Sequence, residues 1–182
     1  MVTIKKMAET SFHIKEPGLN VLPPGVERYV VNGGGITGIQ IFPDDEIEIV
    51  NNEGNQICEI SVFNKDGKSE SGILNLKENK DTSELKKILS SKDENSKIAA
   101  YQLKKRNLQI TKAKASIVFD KDANWGEKMK FKSKDKCYCI FAAPGPEMLI
   151  HEQNPPTDLT IFVKRSKITK DKEHSVIPDP MF

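Results

Sequence analysis

The sequence predicts a mainly β fold, a barrel or a sandwich, with a small α-helical insertion around residues 82–104. Two observations carry this. The segment 43–64 reads as strand, tight turn, strand: Ile47, Ile49, Ile57, Ile60 and Val62 stand among Glu46, Glu48, Gln56, Glu59 and Ser61. Alternation at a period of two lets a strand bury one face, and Gly54, within the Asn-Asn-Glu-Gly-Asn run at 51–55, is free to take a positive φ in the turn. Helical spacing, by contrast, appears only in the middle of the chain.

The elements follow in order. Residues 1–25 form a lead-in, because Pro17, Gly18, Pro23, Pro24 and Gly25 forbid a long helix. Residues 27–31 make a short strand, Asn32-Gly33-Gly34-Gly35 a turn, and residues 36–42 a second strand. A hairpin over 46–64 comes next and ends in the turn 64–67. Thr82 or Ser83 caps a helix whose apolar face is Leu85, Ile88 and Leu89, with Glu84 in its first turn suiting the helix dipole. A second helix starts near Asn95 or Ser96 and shows Ile98, Ala99, Tyr101, Gln102 and Leu103. Strand patterns resume at Leu108 and Ile110, at 115–119, at Met129 and Phe131, at 137–142 and at 159–163, with a turn over 120–124. The proline-rich run 142–156 is expected to be an ordered loop. The chain thus divides into one β-rich domain over 1–165, with its helical insertion at 77–105, and a polar tail or linker over 166–182.

Composition limits the class. At 182 residues, with 37% hydrophobic and 30% charged residues, the chain can bury one core. No apolar run approaches the ~18 residues that span a bilayer, and the N-terminus lacks the apolar stretch of a secretory signal. Three cysteines, an odd count, point to reduced thiols and a cytoplasmic location. The net charge of +2 hides an asymmetry: residues 68–136 hold 18 Lys/Arg against 10 Asp/Glu, while residues 1–67 hold 5 against 10. Such a basic middle is open to an anionic partner without requiring one.

Several motifs dissolve into ordinary chemistry. The run 33–38 matches G-x-G-x-x-G, but a strand ended by Pro43 follows it, where a dinucleotide site needs a helix N-terminus. Cys137 and Cys139 share one face of a strand, with Tyr138 opposite. With His151 they are the candidate metal ligands, although zinc sites use C-x2-C spacing and a second pair. His151, beside Glu152 and near Glu147 and Asp158, forms the candidate acid/base group in the 142–158 loop. The lysines at 104–136, interleaved with Phe119, Trp125 and Phe131, could bind a single strand by stacking. Alternation of Lys128, Lys130 and Lys132 with Met129 and Phe131 is also what one solvated strand face produces, so nucleic acid is not the favoured partner.

Residues 22–64 resemble the urea carboxylase-associated domain: Leu22-Pro23-Pro24-Gly25, then Asp45, Ile47, Ile49, Glu53-Gly54, Gln56 and Phe63-Asn64 match its pattern, with Glu59 where the family has aspartate. The same segment is similar to N-terminal accessory regions of glycine cleavage T-protein-like aminomethyltransferases. The family's downstream histidine-aspartate and glycine-alanine-cysteine segment, which looks metal-binding in relatives, has no counterpart here. The resemblance implies a non-catalytic accessory or small-ligand-binding domain in folate-dependent aminomethyl transfer or urea and nitrogen metabolism. No cofactor is then expected on the chain itself, tetrahydrofolate belonging to a partner domain. The implied partners are a small-molecule ligand or a partner enzyme domain, with no membrane and the oligomeric state left open. Two alternatives stand beside it: a small-molecule enzyme with its site at the 142–158 loop, and nucleic-acid binding through 104–136.

Overall fold

A computed structural model describes residues 22–167 except 79, 82, 91–93 and 146–154. Among the described residues, nine strands form two antiparallel sheets. The strands are β1 (Val26–Val31), β2 (Ile36–Ile41), β3 (Glu46–Asn51), β4 (Cys58–Asn64), β5 (Lys80–Asp81), β6 (Lys114–Phe119), β7 (Glu127–Lys132), β8 (Cys137–Ala142) and β9 (Leu159–Lys164). One sheet runs β1-β9-β3-β7 and the other β2-β8-β4-β6-β5. Helices α1 (Ser83–Ser90) and α2 (Glu94–Lys105) lie between β5 and β6, where the sequence places its insertion.

The sheets face one another. Val31, Ile47, Ile49, Leu159, Ile161 and Val163 from the first meet Ile39, Ile41, Ile60, Val62, Cys139 and Phe141 from the second in a single buried cluster. Each such side chain is worth roughly 1.5–3 kcal/mol when taken fully out of water, so this inner layer holds the fold. Strand β4 is buried on both faces. Cys58, Ile60 and Val62 turn inward, while Phe63 turns outward to meet Leu85, Leu108, Ala113 and Ile140 beneath the helical insertion. A strand covered on both sides reads as a nearly continuous apolar run, as Cys58 to Phe63 does.

Three expectations need correction. The segment 46–64 is not a hairpin: β3 pairs with β7 and β9, whereas β4 pairs with β6 and β8. Gly54 (φ 76) and Asn55 (φ 55) turn the chain from one sheet to the other. The apolar faces of β3 and β4 are therefore satisfied against each other across the core rather than side by side. Gly54 is required there, since a Cβ would stand 2.8 Å from the Trp125 backbone nitrogen. Second, the barrel option gives way to the sandwich: two open sheets are seen and no closed barrel among the described residues. Third, Leu108 and Ile110 belong to no strand. Asn107 takes φ 55, Leu108 is buried under the insertion, and a short 3-10 turn, Ile110–Lys112, leads into β6. The expected cap at Thr82 and the tail beyond 167 lie outside the described residues.

Candidate functional site

A glycine lines a cleft on the outer face of the second sheet. On β2 the outward face carries Ile36, Gly38 and Gln40, paired in register with Ala142, Ile140 and Tyr138 of β8. Gly38 contributes no side chain, and a Cβ built on it would meet nothing within 4 Å. Glycine inside a strand commonly marks the close approach of a ligand or another backbone. Helix α2 presents Ala99, Gln102 and Leu103 to the same space, a spacing of i, i+3 and i+4 that shares one helical face, and Arg106 follows in the turn just past its end. Arg28 and Val30 of the edge strand β1, with Asn32 just after it, complete a cleft of about 700 Å³. Among the described residues its lining contains no Asp or Glu.

A second cluster ties down the loop entering at Pro144. Buried Gln56 donates from Nε2 to the carbonyl oxygens of Pro144 and Ile57, each at 2.9 Å, and accepts from the Thr157 amide at 2.7 Å. One side chain thus bridges both ends of the loop. Asp158 accepts from the Gly33 amide at 2.9 Å, so this candidate acid/base residue anchors the glycine turn. A Cβ on Gly33 would fall 2.2 Å from the Pro156 carbonyl oxygen. The G-x-G-x-x-G run is thereby explained as a tight crossing from β1 to β2 packed against Pro156. His151, Glu147 and Glu152 lie outside the described residues.

The cysteines sit elsewhere. Cys137 and Cys139 point into the layer between the sheets, with their sulfurs 3.7 Å apart and Cys137 also 3.7 Å from the Ser133 hydroxyl. Contact with Cys137 and then burial hold the Cys139 thiol well above its ordinary pKa, while the hydrogen bond from Cys139 lowers that of Cys137. Burial pushes the Cys58 thiol up as well, helped by Glu59. Among the described residues no group of three or more His, Cys, Asp or Glu is placed to hold a metal. Glu59 is buried at 3% exposure. It pairs in register with Ala142, whereas Cys137 pairs with Asn64. Residues 59 and 64 differ by an odd number, so Glu59 and Cys137 occupy opposite faces of the sheet and do not converge.

Arg165 closes the sandwich at the end of β9. Its guanidinium reaches Asp45 at 2.7 Å, Glu27, and the Gln40 carbonyl at 2.9 Å. Burial alone would lower the Arg165 pKa, but Glu27 and Asp45 outweigh it and the group is raised. Tyr29 donates to Glu27 at 2.7 Å. Burial, followed by that carboxylate, pushes the phenol up to about 12.

The basic strand face answers acids of its own sheet: Lys130 meets Glu48 at 2.9 Å and Lys132 meets Asp44 at 3.0 Å. Phe119 is buried in the core and Phe131 packs against it, leaving Trp125 exposed. That is a solvated strand face rather than a stacking platform for bases.

Sequence reasoning placed the cysteine parity correctly but missed Gly38, Arg28 and Arg106 as cleft residues. The available signal was an unfilled position in a strand facing an amphipathic helix.

No family model matches the chain. By sequence it is similar to trimethylamine-oxide aldolase of Ruegeria pomeroyi (strain ATCC 700808 / DSM 15171 / DSS-3), with 32% identity over 168 residues, 92% of this chain. The chain spans about a fifth of that relative's length (21%). The likeness overturns the expectation of an accessory domain for aminomethyl transfer or urea metabolism. The relative is named an aldolase, an enzyme, and neither an aminomethyltransferase nor a urea carboxylase-associated protein. Nothing in the comparison supports nucleic-acid binding. No helix among the described residues is long and apolar enough to cross a membrane.

Proposed function

We propose that this chain is part of a small-molecule enzyme that acts on an amine oxide. The observation that carries the reading is its 32% identity, along 92% of its length, to a trimethylamine-oxide aldolase. The chemistry of the cleft supports it. An amine oxide joins a strongly accepting oxygen to a quaternary nitrogen. The cleft offers donors in Tyr138, Gln40, Gln102 and Arg106, and its tyrosine ring suits an N-methyl cation face. Cleavage of trimethylamine oxide balances without an added oxidant. One methyl carbon leaves with the oxygen as formaldehyde, and the nitrogen keeps a proton as dimethylamine.

Three free cysteines support a reducing, cytoplasmic setting for this enzyme. The resemblance of residues 22–64 to the urea carboxylase-associated domain is kept as a proposal of ancestry for that segment. Within it Asp45, Gly54 and Gln56 serve the fold.

The test is to incubate the protein in its natural form with trimethylamine oxide and measure both products. Equimolar formaldehyde and dimethylamine are expected, with Tyr138→Phe slowing release by about tenfold. Absence of both products, together with no saturable binding of trimethylamine oxide, would overturn the reading.

A further inference from the structure

The cleft is far larger than an amine oxide needs. Trimethylamine oxide has a handful of non-hydrogen atoms, whereas about 700 Å³ falls in the range of pockets that enclose drug-sized ligands. Its charge is also one-sided. Arg28 and Arg106 line it, and among the described residues no carboxylate does. Among the described residues neither guanidinium is paired with an acid; Arg106, in the turn after α2, donates back to the Gln102 carbonyl and the Gln102 side-chain oxygen. Guanidinium groups at a concave apolar surface are suited to bidentate capture of carboxylate, phosphate or sulfonate. The floor beside them is largely apolar, built from Ile36, Gly38 and Ile140 with Tyr138, and Leu103 of α2 lines the same space.

We infer that this cleft binds an organic anion whose flat apolar body lies over Gly38 and Tyr138 beneath α2, with its acidic group met by Arg106 and Arg28. The inference rests on the cleft alone and is independent of the amine-oxide reading. The missing side chain at Gly38 makes the body's space, the helical insertion supplies the roof, and the turn that follows it supplies Arg106. That assigns the insertion a role in recognition in addition to packing.

Gly38 also gives the test. Its φ is ordinary for a side-chain-bearing residue and the space above it is open, so Gly38→Leu fills the cleft without strain in the backbone. The probe is 8-anilinonaphthalene-1-sulfonate, an aromatic sulfonate, titrated by fluorescence against the folded protein. Its uncharged relative N-phenyl-1-naphthylamine and inorganic phosphate serve as controls. Saturable binding at one site is expected. Arg106→Ala should weaken the sulfonate about tenfold and leave the uncharged probe unaffected, and Gly38→Leu should abolish sulfonate binding with the melting temperature kept. Should Gly38→Leu not fold, Ala99→Phe, which enters from α2, carries the same expectation. Sulfonate binding unchanged in Arg106→Ala or in the cleft-filling variant would overturn the inference. So would displacement by inorganic phosphate as effective as by the aromatic anion, which would leave the apolar body without a role.

Discussion

The two faces of one sheet differ in kind, and the same strands supply both. On β8, Cys137, Cys139 and Phe141 turn inward and are sealed against the facing sheet. Tyr138 and Ile140, one residue out of phase, turn outward to the cleft under α2. The inner face is filled and apolar, with the Cys58 thiol raised by burial and the Cys139 thiol raised by its contact with Cys137 and then by burial. The outer face keeps an open glycine, hydroxyl, amide and guanidinium donors, and room for a ligand. Residues with reactive names can belong to the structural face, and the working face can be marked by a residue with no side chain at all.

Disruption of the inner face gives the largest expected effect. Phe141 is fully buried between the sheets, and Phe141→Ala should cost about 3–5 kcal/mol in urea unfolding. A loss under 1 kcal/mol would mean that the two faces are not as different as described. Next comes the lock at the sandwich end. Arg165→Met leaves the carboxylate of Asp45, 1% exposed, without its cation, which should cost about 3 kcal/mol by the same measurement. Gln56→Ala removes three hydrogen bonds at the loop base and should cost about 2 kcal/mol. It should also speed proteolysis between residues 145 and 157.

Tyr29 gives a pH signature. Its phenol is raised from 10.0 to about 12 in the folded protein. The unfolded chain therefore releases this proton first, and the contribution is full below pH 10 and lost as pH rises through about 12. Tyr29→Phe should flatten that alkaline fall, to be checked by urea midpoints across the range. The smallest effect belongs to the solvated lysines: Lys130→Ala breaks an exposed pair with Glu48 and should leave the urea midpoint unchanged, since such pairs contribute little.

The sequence made the strands legible wherever one face was buried. Strands β1, β2, β6, β7, β8 and β9 fall within a residue or so of the alternation that announces them. The helical insertion was legible from Leu85, Leu89 and Leu103, which do pack on the sheet. Pairing was not legible. The turn chemistry at 51–55 suits a hairpin, yet it serves a crossing between sheets, because alternation reports which face is buried and not which neighbour accepts the hydrogen bonds. Leu108 and Ile110 looked like a strand because two apolar residues at a spacing of two fit a buried turn equally well. The cleft was not legible because its defining position, Gly38, is also the last glycine of a fingerprint that draws attention to the turn before it. Asp158 shows the converse: a carboxylate near a histidine in sequence can be committed to a backbone amide across the fold.

The central claim is that ligand chemistry belongs to the outer face of β2 and β8. A methyl-labelled NMR titration with trimethylamine oxide tests it most directly. The account predicts that the methyl signals of Ile36, Leu103 and Ile140, which line the cleft, shift saturably, while those of Ile41, Ile49 and Ile161 in the inter-sheet core stay in place. Shifts confined to the core methyls, or none at either face, would contradict it.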